Sequence, residues 1–420
     1  MTLYWFLLVV SSLAIASVPA ESVELSRCVG ASSMLVMGWM LLIHVVSRMV
    51  HRAVLAGLDP TVAARTLERQ LDGLRWLGLL VAGVCGAGFG LAAAVKTWPV
   101  FESSMTLQAS ALLTPGLLIT ASVWLSEHGY GVAMGYTRRR GWRACRDLLR
   151  ELIASGGWIL APVLVMLLAT DAVRWAGLFD EQSSAAVTAV LAMIAVPLTV
   201  PLIVRRIWKT RTVDPVHRDW TARLLASAGM KRLPMRVWDT QMRSYNAVVA
   251  GFVPGLRWMV VTDRLFSEMS PRDLSMVMLH EVAHVRRGHV WLRMLAMIPS
   301  WLVAAILTQS FAASPLVAVV TNLIAIAATL LTLRWVAHAT ERDADRVACR
   351  MSMSLPSELD PPRTEQEAAH RYCQSLRWVT RRDPSPGKAS WLHPSVDDRC
   401  ARLQSWAEAH ATPLPQLAGS

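Results

Sequence analysis

The sequence predicts a mainly α-helical protein that crosses a membrane several times and also carries a part with short β-strands. Hydrophobic residues make up 54% of the 420-residue chain, and the mean hydropathy of +0.37 exceeds that of an ordinary soluble domain. Eight apolar windows approach or reach the roughly 20 residues that a bilayer-spanning helix needs. They cover residues 3–20, 31–47, 76–95, 109–125, 152–170 and 185–204, and then 295–311 and 316–335.

The spacing of these windows predicts three parts of the chain. Residues 1–204 form a membrane domain with about six transmembrane helices. Residues 205–410 form a second domain, which a two-helix transmembrane hairpin interrupts at about 295–335. Residues 411–420 form a flexible tail.

The first apolar window has two interpretations. Val18-Pro19-Ala20 resembles a signal-peptidase site. A signal peptide also has a positively charged residue before its apolar run, and this sequence has no Lys or Arg there. We therefore expect an uncleaved first helix. The third window contains a small-residue face that can pack against another helix. This face consists of Gly83, Gly86, Gly88 and Gly90.

The basic residues predict the orientation in the membrane. Arginines are concentrated in the loops at residues 48–75 and 138–150, whereas the loops at 96–108 and 171–184 carry little positive charge. The positive-inside rule places the arginine-rich loops, both termini and the second domain in the cytoplasm. Most of the basic residues behind the net charge of +12 are then at helix ends, where they face the surface of the lipid bilayer. No nucleic-acid partner is predicted, because such a surface would gather its charges on one soluble face.

The run His280-Glu281-Val282-Ala283-His284 is the strongest chemical signal in the second domain. Residues four apart lie on one face of a helix, so His280 and His284 can bind the same ion. Glu281 can then hold a water at that ion and accept its proton. Ser270 and Pro271 predict where this helix begins, as N-cap and first helical residue.

A third candidate ligand lies downstream in a predicted helix. Glu341 can complete a His, His and Glu set, which leaves a fourth zinc position open for water. Asp345 is on the same helix face and can accept a hydrogen bond from the far nitrogen of a ligating imidazole. The sequence thus predicts one Zn²⁺ per chain. A salt-bridged surface helix is the alternative interpretation of this acidic and basic segment.

The remaining elements of the second domain are short. Residues 213–229 predict an amphipathic helix, and residues 235–238 and 258–262 predict strands with a loop around Asn246 and Gly251 between them. We expect the strand at 258–262 to hold an extended peptide by edge pairing.

These motifs resemble those of the integral-membrane zinc endopeptidases of the CAAX prenyl protease and HtpX-like family. The run 280–289 is similar to the extended helix motif of that family. The run 341–345 is similar to its Glu-x-x-Ala-Asp segment. The resemblance implies a gluzincin-like zinc peptidase domain containing a small β-sheet.

Two further segments carry the same resemblance. Residues 244–251 are similar to the family's Asn-Ala segment, and residues 393–399 to its closing His-Pro element, so that the matches cover roughly residues 214–406. One position departs from the pattern, because the family commonly has an Arg three residues before the glutamate ligand and this chain has His338.

The resemblance also implies roles for individual residues. His393 would donate a hydrogen bond to the oxyanion formed during hydrolysis, and Asn246 would hold the substrate backbone. His289 would either contact the substrate, or cap or orient the zinc helix. Arg399 is expected to pair with an acidic neighbour. The implied substrates are prenylated CAAX peptides, damaged membrane proteins or small precursor peptides.

The predicted activity is endopeptidase cleavage of peptides or membrane proteins, in which Glu281 assists a zinc-activated water. Two alternatives remain at the level of sequence. A BlaR/MecR-type sensor-protease would normally carry an external ligand-binding domain, and the sequence contains no segment of that kind. A non-catalytic zinc membrane protein would need a fourth protein ligand, and no further His or Cys has suitable spacing.

Overall fold

A computed structural model describes most of the chain, in two compact units. The described ranges are 2–16, 24–136, 141–177, 208–240, 244–251, 253–296, 315–382 and 391–410, with residues 187, 198–199, 201–202, 204–206, 242, 303, 306 and 389. One unit contains the described residues of Met1–Thr199 and Ile306–Leu323, and the other those of Val200–Ala305 and Ile324–Ser420. The predicted spans at 185–204 and 295–311 lie almost entirely outside the described residues, as does the tail.

The chain is mainly α, as predicted. The described helices of the first unit are α1 (Thr2–Ala16), α2 (Leu25–Leu55), α3 (Pro60–Gly83), α4 (Leu91–Thr97), α5 (Pro99–Glu102), α6 (Met105–Ala133) and α7 (Trp142–Ala176). The second unit has α8 (Pro215–Ser227), α9 (Asp263–Glu268), α10 (Pro271–Arg286), α11 (His289–Leu295), α13 (Glu365–Arg382) and α14 (Val396–Ala409). Helix α12 (Pro315–Ser352) begins in the first unit and ends in the second.

Five helices in the described part of the chain are long and apolar enough to cross a membrane. They support the prediction of a polytopic membrane protein by their length and composition. The five segments are Leu25–Leu55, Pro60–Gly88, Met105–Ala133, Ile159–Ala176 and Leu323–Ser352.

The third predicted span, residues 76–95, has other bounds in the structure, where the apolar segment that can cross a membrane is Pro60–Gly88. Helix α3 ends at Gly83, a π-helical turn follows at Val84–Gly88, and α4 begins only after Gly90, whose φ of +74° is left-handed. Glycine adopts such a conformation without steric cost, so the cluster of glycines ends the helix rather than extending it. Of the predicted small-residue face, Gly86 approaches another helix, since a Cβ there would lie 3.0 Å from Cγ2 of Ile15.

Helix α1 packs inside the first unit. Trp5 and Leu8 are fully buried, and the Tyr4 hydroxyl lies 2.8 Å from Oγ1 of Thr120 on α6. Gly116 of α6 allows this contact between helices, because a Cβ at that position would overlap the side chain of Leu8. Close packing of this kind replaces hydrophobic burial as the main attraction between helices in a lipid environment.

The second unit contains a four-stranded sheet in the order β1-β2-β4-β3. Its strands are β1 (Thr210–Thr212), β2 (Met235–Trp238), β3 (Ala247–Ala250) and β4 (Trp258–Thr262). The parallel pair β2 and β4 lies in the middle, and β1 and β3 add antiparallel to its two sides.

Two predictions about the sheet need correction. Residues 247–250 form a strand rather than a loop, because Ala247–Ala250 pairs along its whole length with β4. Strand β4 is therefore central and fully buried, and it cannot pair with an extended peptide. Among the described strands, β3 and β1 are the outer ones. The predicted strands at 235–238 and 258–262 are confirmed.

Local sequence explains the helices that carry the candidate site. Helix α10 begins as predicted, with Pro271 at the first turn and the Ser270 hydroxyl accepting a hydrogen bond from the Asp273 backbone at 3.1 Å. Its apolar side, which includes Leu274, Met278 and Val282, is fully buried in the core of the second unit. The predicted span at 316–335 and the predicted Glu341 helix form one continuous helix, α12.

Candidate metal centre

Helix α10 brings the two motif histidines together. The Nε2 atoms of His280 and His284 lie 3.1 Å apart, and the His280 side chain is buried. One helical turn between the residues accounts for the shared direction of the two rings.

Glu341 approaches the pair from α12. Its Oε2 lies 3.4 Å from His280 Nε2, and its Oε1 lies 3.3 Å from His284 Nε2. Tetrahedral ligands at the usual zinc distances of about 2.0–2.1 Å would be separated by about 3.3–3.4 Å. The three residues thus offer a donor set within 4.8 Å whose chemistry and spacing fit a zinc ion. Only three protein donors are present in this group, which would leave one tetrahedral position open.

The second nitrogen of His280 contacts the predicted carboxylate. Asp345 Oδ1 lies 3.0 Å from His280 Nδ1, and the Tyr372 hydroxyl lies 2.9 Å from the same nitrogen. A proton on Nδ1 leaves the Nε2 lone pair directed at the metal position, as a ligating imidazole requires.

Asp345 is held in turn by two donors. The Tyr372 hydroxyl donates to Asp345 Oδ1 at 2.7 Å, and Arg399 donates from Nε to Oδ2 at 3.0 Å and from Nη2 to Oδ1 at 2.5 Å. All three side chains are buried, so the paired charges of Asp345 and Arg399 compensate each other away from water. The expectation that Arg399 pairs with an acidic residue is confirmed.

His284 has a different partner behind it. Its Nδ1 lies 2.9 Å from Nδ1 of His289, and His289 Nε2 lies 2.9 Å from Asp343 Oδ2. Gly288, with a left-handed φ of +65°, separates α10 from α11 and turns His289 back towards α10. The side chain of His289 is 3% exposed and both ring nitrogens have neighbours. This arrangement favours the alternative of an orienting role for His289, and the substrate contact stays a prediction.

Arg293 supplies a cation directly at Glu341. Its Nη2 donates to Glu341 Oε1 at 2.9 Å, and its Nε and Nη2 both donate to the Thr340 hydroxyl. The family pattern has an arginine three residues before the glutamate, where this chain has His338. In this chain Arg293 of α11 provides a guanidinium that contacts Glu341.

His393 stands at the open side of the group. Its Nδ1 lies 3.1 Å from Glu341 Oε2, while 54% of its side chain is exposed. Its partial exposure leaves it accessible to a molecule that approaches the centre from solvent.

Glu281 is half-buried on α10, next to His280. Burial raises the pKa of its carboxyl from 4.5 to about 7, because a charge is poorly solvated in this environment. A carboxyl with a pKa near neutrality can both accept and release a proton.

Asn246 is the predicted residue that lies outside this cluster of contacts. Its side chain is exposed, at the position just before β3. Its backbone continues the β3–β4 ladder, since the Thr262 N–H donates to the Asn246 carbonyl at 2.9 Å.

Sequence reasoning missed Tyr372 and Arg293 and gave no role to Asp343. Tyr372 is an aromatic residue in an amphipathic helix, where packing is the usual explanation. Arg293 lies nine residues after His284, and nothing local indicates its contact with Glu341. For Asp343 the sequence did contain a signal, because His289 and Asp343 each lie beside a recognised motif and could have been considered as a pair.

Two comparisons with known proteins gave a match. Residues 215–407 match the model of a family described as peptidase family M48. Among solved structures, the crystal structure of S. mikatae Ste24p matches with a TM-score of 0.49 and 13% sequence identity, covering 92% of this chain and 100% of that chain. No curated protein matches the sequence.

Proposed function

We propose that this chain, whose residues 215–407 match the model of peptidase family M48, is a membrane zinc-dependent endopeptidase acting on membrane proteins or peptides. The observation that carries the proposal is the spacing of the His280, His284 and Glu341 donor atoms, which lie within 4.8 Å of one another. Glu281, adjacent to this group, supplies the acid-base function that a hydrolase needs.

The proposed ligands are His280, His284 and Glu341. When bound there, Zn²⁺ would lower the pKa of a water in the open position to about 7 and polarise the carbonyl of the scissile peptide bond. Neutral imidazoles and a carboxylate are suitable ligands for this ion.

Glu281 is the proposed general base and acid. It accepts a proton from the attacking water and later delivers that proton to the leaving amine. The raised pKa of about 7 supports both steps, because neither protonation state is strongly favoured at neutral pH.

His393 is the proposed donor to the negative charge that develops on the attacked carbonyl oxygen. Its position 3.1 Å from Glu341 and its partial exposure support this role. Donors of this type act most strongly when their orientation is fixed before the reaction.

The surrounding residues hold the ligands in position. Asp345 and Tyr372 fix the ring of His280, and His289 fixes the ring of His284. Hydrogen bonds to the far nitrogen set the tautomer and the ring orientation of a ligating histidine.

We propose that the substrate binds as an extended strand beside β3 rather than β4. Asn246 pairs with Thr262 through the backbone, so the alternation of an antiparallel ladder directs the N–H and C=O of Ala247 and Val249 outwards. A peptide that pairs with these groups would extend the sheet by one strand.

The proposal also includes the setting of the enzyme. Residues 1–204 act as the membrane domain and residues 205–410 as the peptidase domain, with the hairpin at about 295–335 between parts of the latter. The arginine-rich loops support a cytoplasmic site, and the setting that we propose is a bacterial plasma membrane.

Replacement of Glu281 by Gln tests the proposed mechanism. Casein hydrolysis in detergent should fall by at least about a hundredfold, since general acid-base catalysis contributes about 10²–10⁴-fold. The zinc content should stay at one per chain, because Glu281 is not a proposed ligand. Glu408→Gln, at an exposed position on α14, is the matched control and should keep full activity. Unchanged cleavage by Glu281→Gln would remove the proposed base.

A further inference from the structure

The second unit contains a cleft that shares no residue with the metal centre. It has a volume of about 250 Å³ and lies between the described residues Pro201, Leu202 and Arg205 and the β2 and β4 region. Its lining combines apolar residues with three arginines. The arginines are Arg205, Arg236 and Arg257, and the apolar residues include Leu202, Met235 and Leu256.

The three arginines lack counter-charges in the part of the chain that the structure describes. None of the described lining residues is acidic. The Nε atom of Arg236 is buried without a hydrogen-bond partner among the described residues. Arg257 Nη2 contacts the sulfur of Met230 at 3.5 Å, which is a weak acceptor. Like charges at such positions repel one another, so an anion would stabilise this arrangement.

The cleft lies where the chain leaves the predicted sixth span. Leu202, on its rim, is 51% exposed although it is apolar. Pro201 packs on the turn between β3 and β4, since a Cβ on Gly251 would lie 2.8 Å from Cγ of Pro201. Pro201, near the end of the predicted sixth span, thus packs against the sheet, and Arg205, Arg206 and Lys209 follow it in sequence. Basic residues at this point of a membrane protein face the headgroup layer.

From this combination we propose that the cleft binds the phosphate of an anionic phospholipid. Guanidinium groups bind phosphate oxygens through paired hydrogen bonds, and the single negative charge of a phosphodiester would reduce the repulsion among the three arginines. The apolar lining suits the glycerol and the first acyl carbons, which a soluble anion does not have. Basic pockets at membrane surfaces recognise anionic headgroups in this manner. This proposal does not depend on catalysis, because the cleft and the metal centre have no residue in common.

Arg205 and Arg206 provide a matched pair for the test. Both are exposed and adjacent in sequence, but only Arg205 lines the cleft. The full chain, purified in detergent, would be titrated with phosphatidylglycerol or phosphatidylcholine, and bound lipid would be counted by native mass spectrometry. We expect phosphatidylglycerol to be retained preferentially. Arg205→Gln should weaken its binding by about tenfold, and Arg206→Gln by less than about twofold.

The double variant Arg236→Gln/Arg257→Gln extends the test into the cleft. It should weaken phosphatidylglycerol binding by more than Arg205→Gln does, and its melting temperature reports whether it folds. Equal retention of the two lipids by the unaltered protein would overturn the proposal, as would equal weakening by Arg205→Gln and Arg206→Gln. Displacement of the lipid by millimolar inorganic phosphate would also overturn it, because a soluble anion would then be the ligand.

Discussion

The Nδ1 atoms of His284 and His289 lie 2.9 Å apart. Two ring nitrogens at this distance share one proton, so one of them donates and the other accepts. A metal ligand that binds through Nε2 carries its proton on Nδ1, and His284 is then the donor. His289 accepts on Nδ1 and donates from Nε2 to Asp343, 2.9 Å away. Asp343 therefore fixes the tautomer of His289, and His289 fixes the tautomer of His284.

The first prediction concerns His289. His289→Ala removes the acceptor behind His284, and the affinity for zinc should fall by about 10–100-fold, the usual loss when such a partner is removed. Competition with a chromogenic chelator measures this change without an activity assay. His370→Ala is the control, because His370 is exposed on α13 and contacts Gln374. Equal affinities of the two variants would contradict the orienting role.

The buried pair of Asp345 and Arg399 gives a second prediction. Arg399→Ala leaves the Asp345 charge buried with Tyr372 and His280 as its remaining donors, and the free energy of unfolding should fall by about 3–5 kcal/mol. Chemical denaturation in detergent measures the loss.

Arg402 on the same helix is the control for that measurement. It pairs with Asp398 at 2.9 Å, but both side chains are exposed, so Arg402→Ala should cost only about 0.3–0.5 kcal/mol. Similar losses for the two variants would mean that the Asp345 and Arg399 pair is not as buried as described.

Strand β3 gives a third prediction. Val249→Pro removes an outward-facing N–H without breaking the ladder to β4, and proline is tolerated in an outer strand. If the substrate pairs with β3, kcat/KM should fall by about 2–12-fold, which corresponds to one hydrogen bond of about 0.5–1.5 kcal/mol. A melting temperature close to that of the unaltered protein is the control for folding. Unchanged kinetics would exclude pairing at Val249.

Metal removal gives a fourth prediction. An ion that binds only the folded chain stabilises it in proportion to its concentration, so a chelator should lower the melting temperature and added zinc should restore it. His284→Ala should melt at the same temperature with and without the chelator. Glu281→Gln should respond like the unaltered protein. A chelator effect that persists in His284→Ala would indicate that the stabilising ion binds elsewhere.

The local parts of the site were predictable from sequence. His280 and His284 are separated by one helical turn, and Ser270 with Pro271 marks where their helix begins. Such relationships depend on a few neighbouring residues, whose geometry a helix fixes.

Contacts between distant segments were harder to predict. Tyr372 is 92 residues from His280, and Arg293 is 48 residues from Glu341, yet each pair forms a hydrogen bond. Their positions depend on how α11, α12 and α13 pack, which no local pattern encodes. The strand Ala247–Ala250 was missed because only its pairing with β4 makes it a strand.

X-ray absorption at the zinc edge tests the central claim most directly. The purified chain should contain one zinc with nitrogen and oxygen ligands at about 2.0–2.1 Å, including two imidazoles. Glu341→Ala should lose the metal or change its coordination, whereas Glu408→Ala, at an exposed position, should leave the spectrum unchanged. A zinc spectrum that is identical in Glu341→Ala and the unaltered protein would contradict the proposed centre.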